Sequence, residues 1–68
     1  MIEWHTVASS AINRNGYDKD SLLLYVDFKD STPQYVYRGV PMVIFKTFLN
    51  APSKGSYYHN FIKDRFSF

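Results

Sequence analysis

The sequence predicts an α+β fold: a three-stranded antiparallel β-meander followed by two helices packed on one sheet face. Three observations carry this expectation. Apolar residues alternate with period 2 through residues 22–28, the apolar spacing becomes helical after Pro41, and Pro52 stands where a helix must stop.

Ala11 to Asp18 reads as the first strand. Asn15-Gly16 leaves two readings open: a tight turn, or a strand that continues with a bulge at Gly16. In the next strand Leu22, Leu24, Val26 and Phe28 alternate with Leu23, Tyr25, Asp27 and Lys29, which gives it one apolar face. Residues 30–33, Asp-Ser-Thr-Pro, form a turn cluster. Gln34 to Arg38 returns as the third strand and closes a hairpin. Tyr35 and Tyr37 share one of its faces, Val36 and Arg38 the other.

Pro41 suits the first turn of a helix near 41–51, where its missing N–H is harmless. Ile44, Phe45 and Phe48 line one face of that helix and Lys46, Thr47 and Asn50 the opposite one. Val43 falls among the polar positions, so it is either exposed or covered by something else. Ser53 is placed to cap a second helix near 53–66. Its apolar stripe is Tyr58, Phe61, Ile62 and Phe66, and its polar arc is Ser56, His59, Asn60 and Lys63. Arg65 falls within the stripe, placed to snorkel or to reach a tyrosine face or a phosphate. The expected core is Leu22, Leu24, Val26, Phe28, Phe45, Phe48, Phe61 and Ile62.

The chain has 68 residues, expected to form a single domain over 1–68, and no cysteine, so no disulfide supports it. His5 and His59 are its only imidazoles, which argues against a tetrahedral zinc site; no metal or cofactor is expected. A domain this small is marginally stable, and one tryptophan, six tyrosines and six phenylalanines supply the apolar mass instead. Met1-Ile2-Glu3-Trp4 has neither the basic nor the apolar region of a signal peptide. No run approaches the roughly 20 apolar residues of a membrane span. A cytoplasmic location away from the membrane is therefore expected.

Charge is unevenly distributed. Residues 1–34 hold three cations against five carboxylates, a net of −2, and residues 35–68 hold five cations against Asp64 alone, a net of +4. A basic half suits an anionic partner, either nucleic acid or an acidic protein surface. It equally suits the ordinary unevenness of a soluble surface.

Taken in order, Asn-Gly-Tyr-Asp (15–18), the alternating strand, Tyr-Val-Tyr (35–37), Gly-Val-Pro (39–41) and the stretch from Asn50 to Phe66 resemble the KTSC domain. That domain forms the C-terminal extension of some lysyl-tRNA synthetases and also occurs as a small bacterial or phage protein. The resemblance spans nearly the whole chain and implies an α+β layout. Attachment to a synthetase implies RNA binding by association only.

Two functional classes follow, both non-enzymatic. The first is a nucleic-acid module that binds RNA through a tyrosine-bearing strand and the basic C-terminal half. Arg38, Lys46, Lys54, Lys63 and Arg65 would contact phosphates, while Tyr35, Tyr37 and Tyr57 would stack on bases if their rings are exposed. In the competing reading the Tyr35 and Tyr37 rings lie under the helices. The second class is a protein-interaction module that docks on a larger machine, as a monomer or homodimer, since interfaces are also rich in aromatics and arginine. Ser53, Lys54, Gly55 and Ser56 at a helix start could cradle a phosphate or form an ordinary serine cap; the P-loop pattern is absent. No catalytic residues are expected. His59 has no paired nucleophile, Ser9, Ser10 and Ser56 lack an activating context, and Asp18 and Asp20 read as a solvated turn rather than a carboxylate pair or a weak cation site.

Overall fold

A computed structural model describes residues 2–7, 9, 11–29 and 34–66. Its sheet has four strands, one more than expected. They are β1 (Glu3–Thr6), β2 (Ile12–Asp18), β3 (Leu23–Phe28) and β4 (Tyr35–Tyr37), in chain order and each antiparallel to the next. β1 has no alternating apolar residues to announce it. Pairing with β2 defines it, with Glu3 opposite Tyr17, Trp4 opposite Gly16 and His5 opposite Asn15.

β2 runs straight through Asn15-Gly16, so no turn forms there. Its bulge lies at Asn13 instead of Gly16, because Ile12 pairs with Phe28 while Arg14 pairs with Asp27. The extra residue resets the alternation. Ile12, Asn15 and Tyr17 face inward and are buried, and Arg14 turns outward. Gly16 is required by a close approach: a Cβ there would lie 2.7 Å from the Trp4 ring.

β3 starts at Leu23, one residue later than the alternation suggests. The Asp18 carboxylate accepts a hydrogen bond from the Asp20 N–H at 3.0 Å, an Asx turn. The turn leaves Leu22 at φ 58°. Leu22 is therefore a turn residue, 42% exposed, and not part of the core. Leu24 and Val26 are buried as expected. The turn expected over 30–33 lies outside the described residues.

α1 spans Met42–Asn50. Pro41 precedes it as the N-cap residue, and the Pro41 carbonyl accepts from the Ile44 and Phe45 N–H groups at 3.0 and 3.4 Å. Phe45 and Phe48 face the sheet, and Val43 is exposed. The helix ends at Ala51, which is extended at ψ 136°; the following Pro52 disfavours a helical residue at that position.

α2 is short, Lys54–Tyr57, and is capped by Ser53, whose Oγ accepts the Ser56 N–H at 3.2 Å. The chain then widens into a π-helical turn, Tyr58–Ile62, in which the Lys63 N–H reaches back to the Tyr58 carbonyl at 2.8 Å. The expected helix to residue 66 therefore stops at Ile62, and Asp64 follows at φ 65°. A π turn holds more residues than an α turn, so Tyr58 and Ile62 stay inward while Phe61 rotates out to 50% exposure. Phe61 thus leaves the expected core.

The core lies between the inner sheet face and the helices. Beyond the expected residues it contains Ile12, Tyr17, Tyr37, Val40 and Tyr58, with Phe28 only half-buried against it. Phe48→Ala is expected to cost about 3–5 kcal/mol, enough to unfold so small a domain. Phe61→Ala should melt within a few degrees of the parent. Thermal melts of the two variants side by side check the assignment, and the reverse order would overturn it.

Candidate functional site

The sheet has two unlike faces. On the inner face, Tyr37 is 1% exposed, so its ring cannot stack on a base without unfolding. Its hydroxyl is hydrogen-bonded to that of Tyr58, and the two rings meet edge to face at 5.9 Å. Tyr35 is half-buried, with its ring edge-on to Phe28 at 5.5 Å. The Tyr57 ring stacks on Phe48 at 5.6 Å, and its hydroxyl donates to the Ile44 carbonyl at 3.3 Å. The tyrosine pair of β4 is thus committed to the helix-covered side.

The cations expected as phosphate contacts belong to several elements. Arg38 follows β4, Lys46 is on α1, and Lys63 and Arg65 follow the π turn; all four are exposed. Lys54 is half-buried, and its Nζ donates to the Ala51 carbonyl at 2.6 Å. It closes the end of α1. Asp18 acts within its turn. Its carboxyl is held below the ordinary value by the Asp20 N–H, and next by the Ser21 hydroxyl. His59 is exposed.

The outer face carries a different cluster, which the sequence reading missed. Trp4 lies across Gly16, and its ring sits 5.6 Å from that of Tyr25 on β3. The close approach follows from the ladder. The Val7 N–H bonds the Asn13 carbonyl at 3.3 Å, which makes Trp4–Gly16 a non-hydrogen-bonded pair; side chains of such pairs lie closer together. The Arg14 guanidinium covers Trp4 at 4.4 Å from the ring centroid, a cation–π contact. Arg14 Nε also bonds Asp27 Oδ2 at 3.1 Å. Trp4 remains 38% exposed. Among the described residues, the helices pack on the inner face only. A signal for Tyr25 was present, since the alternation sets it opposite Leu24 and Val26. Trp4 gave none, because β1 itself was unread.

Among the described residues, no three His, Asp or Glu side chains gather to hold a metal ion, and no helix is long and apolar enough to cross a membrane.

Comparison with known proteins fits this geometry. The model of the KTSC domain family matches residues 8–66. A crystal structure of a KTSC domain protein from Yersinia pestis superposes with a TM-score of 0.92 at 34% identity, over 98% of this chain and 93% of that one. Lysine–tRNA ligases of Trichormus variabilis and Nostoc punctiforme are 39% and 37% identical over 59 residues, 87% of this chain. The chain spans only 10% of the length of those ligases.

The buried hydroxyl pair gives a pH prediction. Burial raises Tyr37 above the ordinary tyrosine value of 10.0, and its hydrogen bond to Tyr58 raises it further. Burial also raises Tyr58, although its bond to Tyr37 acts the other way. The unfolded chain releases these protons near pH 10 while the folded chain keeps them, so stability should fall as pH rises above about 10. Urea midpoints should decline over that window. Tyr37→Phe should be less stable at pH 8 by about 1 kcal/mol, with a shallower alkaline decline. A variant that declines as steeply as the parent would contradict the account.

Proposed function

The chain belongs to the KTSC domain family, and we propose that it is a non-enzymatic module that binds single-stranded RNA on the outer face of its sheet. The observation that carries this reading is the Trp4–Tyr25 pair with Arg14 across it, on the side away from the helices. Aromatic rings and guanidinium planes on an open sheet face both stack on unpaired bases. Arg14 adds positive charge beside the stack for the phosphate chain. The occurrence of similar segments in lysine–tRNA ligases supports a nucleic-acid role without identifying the strand bound.

The basic excess of residues 35–68 contributes at longer range. Its cations lie on several elements, so they raise the local concentration of an anionic strand more than they grip it. Tyr35 and Tyr37 serve the fold, and the outer face takes over the stacking role.

Trp4 is the only tryptophan, so its fluorescence reports directly on stacking. Oligouridylate should quench it in a saturable way at low salt. Trp4→Ala and Tyr25→Ala should each weaken binding by about 1–3 kcal/mol with little change in salt slope. Arg14→Ala should lower the log–log salt slope by about one. Unchanged affinity in Trp4→Ala, with the fold intact, would remove this face from the site. No affinity of the parent chain at low salt would remove the RNA reading altogether.

A further inference from the structure

We infer that the free edge of β1 and the cleft beside it bind an extended acidic peptide, which adds to the sheet as a fifth strand. This site is separate from the outer face and does not depend on the RNA reading. Three observations converge on it. β1 ends the sheet, and among the described residues it pairs only with β2. The ladder phase also fixes which groups are free: Val7 bonds Asn13, so His5 and Glu3 bond across to β2, whereas the N–H and C=O groups of Trp4 and Thr6 point away from it. Those two residues offer four main-chain groups at the spacing of an incoming strand, the contact used in β-strand addition.

The second observation is a cavity of about 400 Å³ between the start of β1 and α1, on the inner side of that edge. Its floor is Tyr17, Phe45 and Met42. The Tyr17 and Phe45 rings are stacked at 4.8 Å and belong to the core, while Met42 is exposed beside them. Side chains alternate across an added strand as they do across β1. A peptide residue opposite Trp4 would project to the outer face. Its neighbour opposite Glu3 would project inward, toward the cavity.

The third observation is the charge of the rim. Lys19, from the β2–β3 turn, and Lys46, from α1, both border the cavity. Glu3 borders it too, so the rim holds two ammonium groups against one carboxylate, whose Oε2 is hydrogen-bonded to His5 Nε2. Two ammonium groups over an apolar floor favour an occupant with an apolar anchor and carboxylates two residues to either side. The same rim disfavours a basic segment. An exposed edge strand invites pairing in any protein, and here the cleft and its charge select what pairs.

The test uses the full chain and a fluorescent seven-residue peptide. Its central residue is valine, the residues two positions to either side are glutamate, and the rest are threonine. Saturable binding is expected, with added exchange protection at the Trp4 and Thr6 amides. The Lys19→Glu/Lys46→Glu variant changes two exposed side chains and should keep the parent melting temperature while binding at least about tenfold more weakly. A peptide N-methylated on its β1-facing amides should lose affinity by a similar factor, because it cannot complete the ladder. No saturable binding up to about 1 mM peptide would overturn the inference. So would binding without protection at Trp4 and Thr6. Protection that grows with protein concentration alone would assign the edge to a second copy of the chain. Displacement of the peptide by oligouridylate, with RNA affinity lost in the lysine double variant, would assign the cleft to RNA. Either of these last two outcomes replaces the peptide.

Discussion

Tyr17 ties the sheet to α1 at two points. Its ring stacks on Phe45 at 4.8 Å, and its hydroxyl donates to the Val40 carbonyl at 2.6 Å, just before the helix begins. The ring sets the height of α1 over the sheet, and the hydroxyl fixes the chain entering it. In a 68-residue chain without cysteine, such contacts do the work of covalent staples. The same logic recurs at the other end of the core, where Tyr37 and Tyr58 join β4 to the π turn through ring and hydroxyl together. Buried tyrosines suit this role, since each buries a large ring and still satisfies its polar atom.

The two faces of the sheet depend on one inserted residue. Without the bulge at Asn13, strict alternation would put Arg14 on the same side as Ile12, inside the core. With it, Ile12 stays in and Arg14 reaches out over Trp4. A bulge that re-aims a side chain in this way is a common device beside functional surfaces. The same shift drives Asn15, next in line, inward and buries it, and among the described residues neither atom of its amide has a partner.

Periodicity revealed the parts of the fold that follow a single regular spacing. Leu24, Val26, Phe45, Phe48 and Ile62 were legible because each repeats the period of a strand or helix and is buried by it. Leu22 and Phe61 broke the pattern for local reasons that periodicity does not encode: a left-handed turn residue and a widened helical turn. The sequence also put Tyr35 and Tyr37 correctly on one face. Which face the helices cover is a tertiary fact, and it decided against them as an open stacking pair. Trp4 was hidden for a different reason. β1 is a strand only because β2 pairs with it, and Glu-Trp-His-Thr carries no strand pattern of its own.

The strand without a pattern of its own is also where the two proposed surfaces meet. Trp4 and Thr6 turn their side chains to the outer face and their free main-chain groups to the sheet edge, while Glu3 and His5 look toward α1. One four-residue strand therefore borders both the aromatic cluster and the cleft. It is held from one side of the ladder only: by pairing with β2, by the Trp4 ring over Gly16 and beside Tyr25, by Arg14 over Trp4, and by the His5 ring 5.7 Å from that of Phe45. An edge strand opens locally at a lower free energy than global unfolding. A ligand that stacks on Trp4 and one that extends the sheet would both hold β1 against β2. Each would then lower the ordering cost of the other, and by linkage the coupling would be equal in both directions.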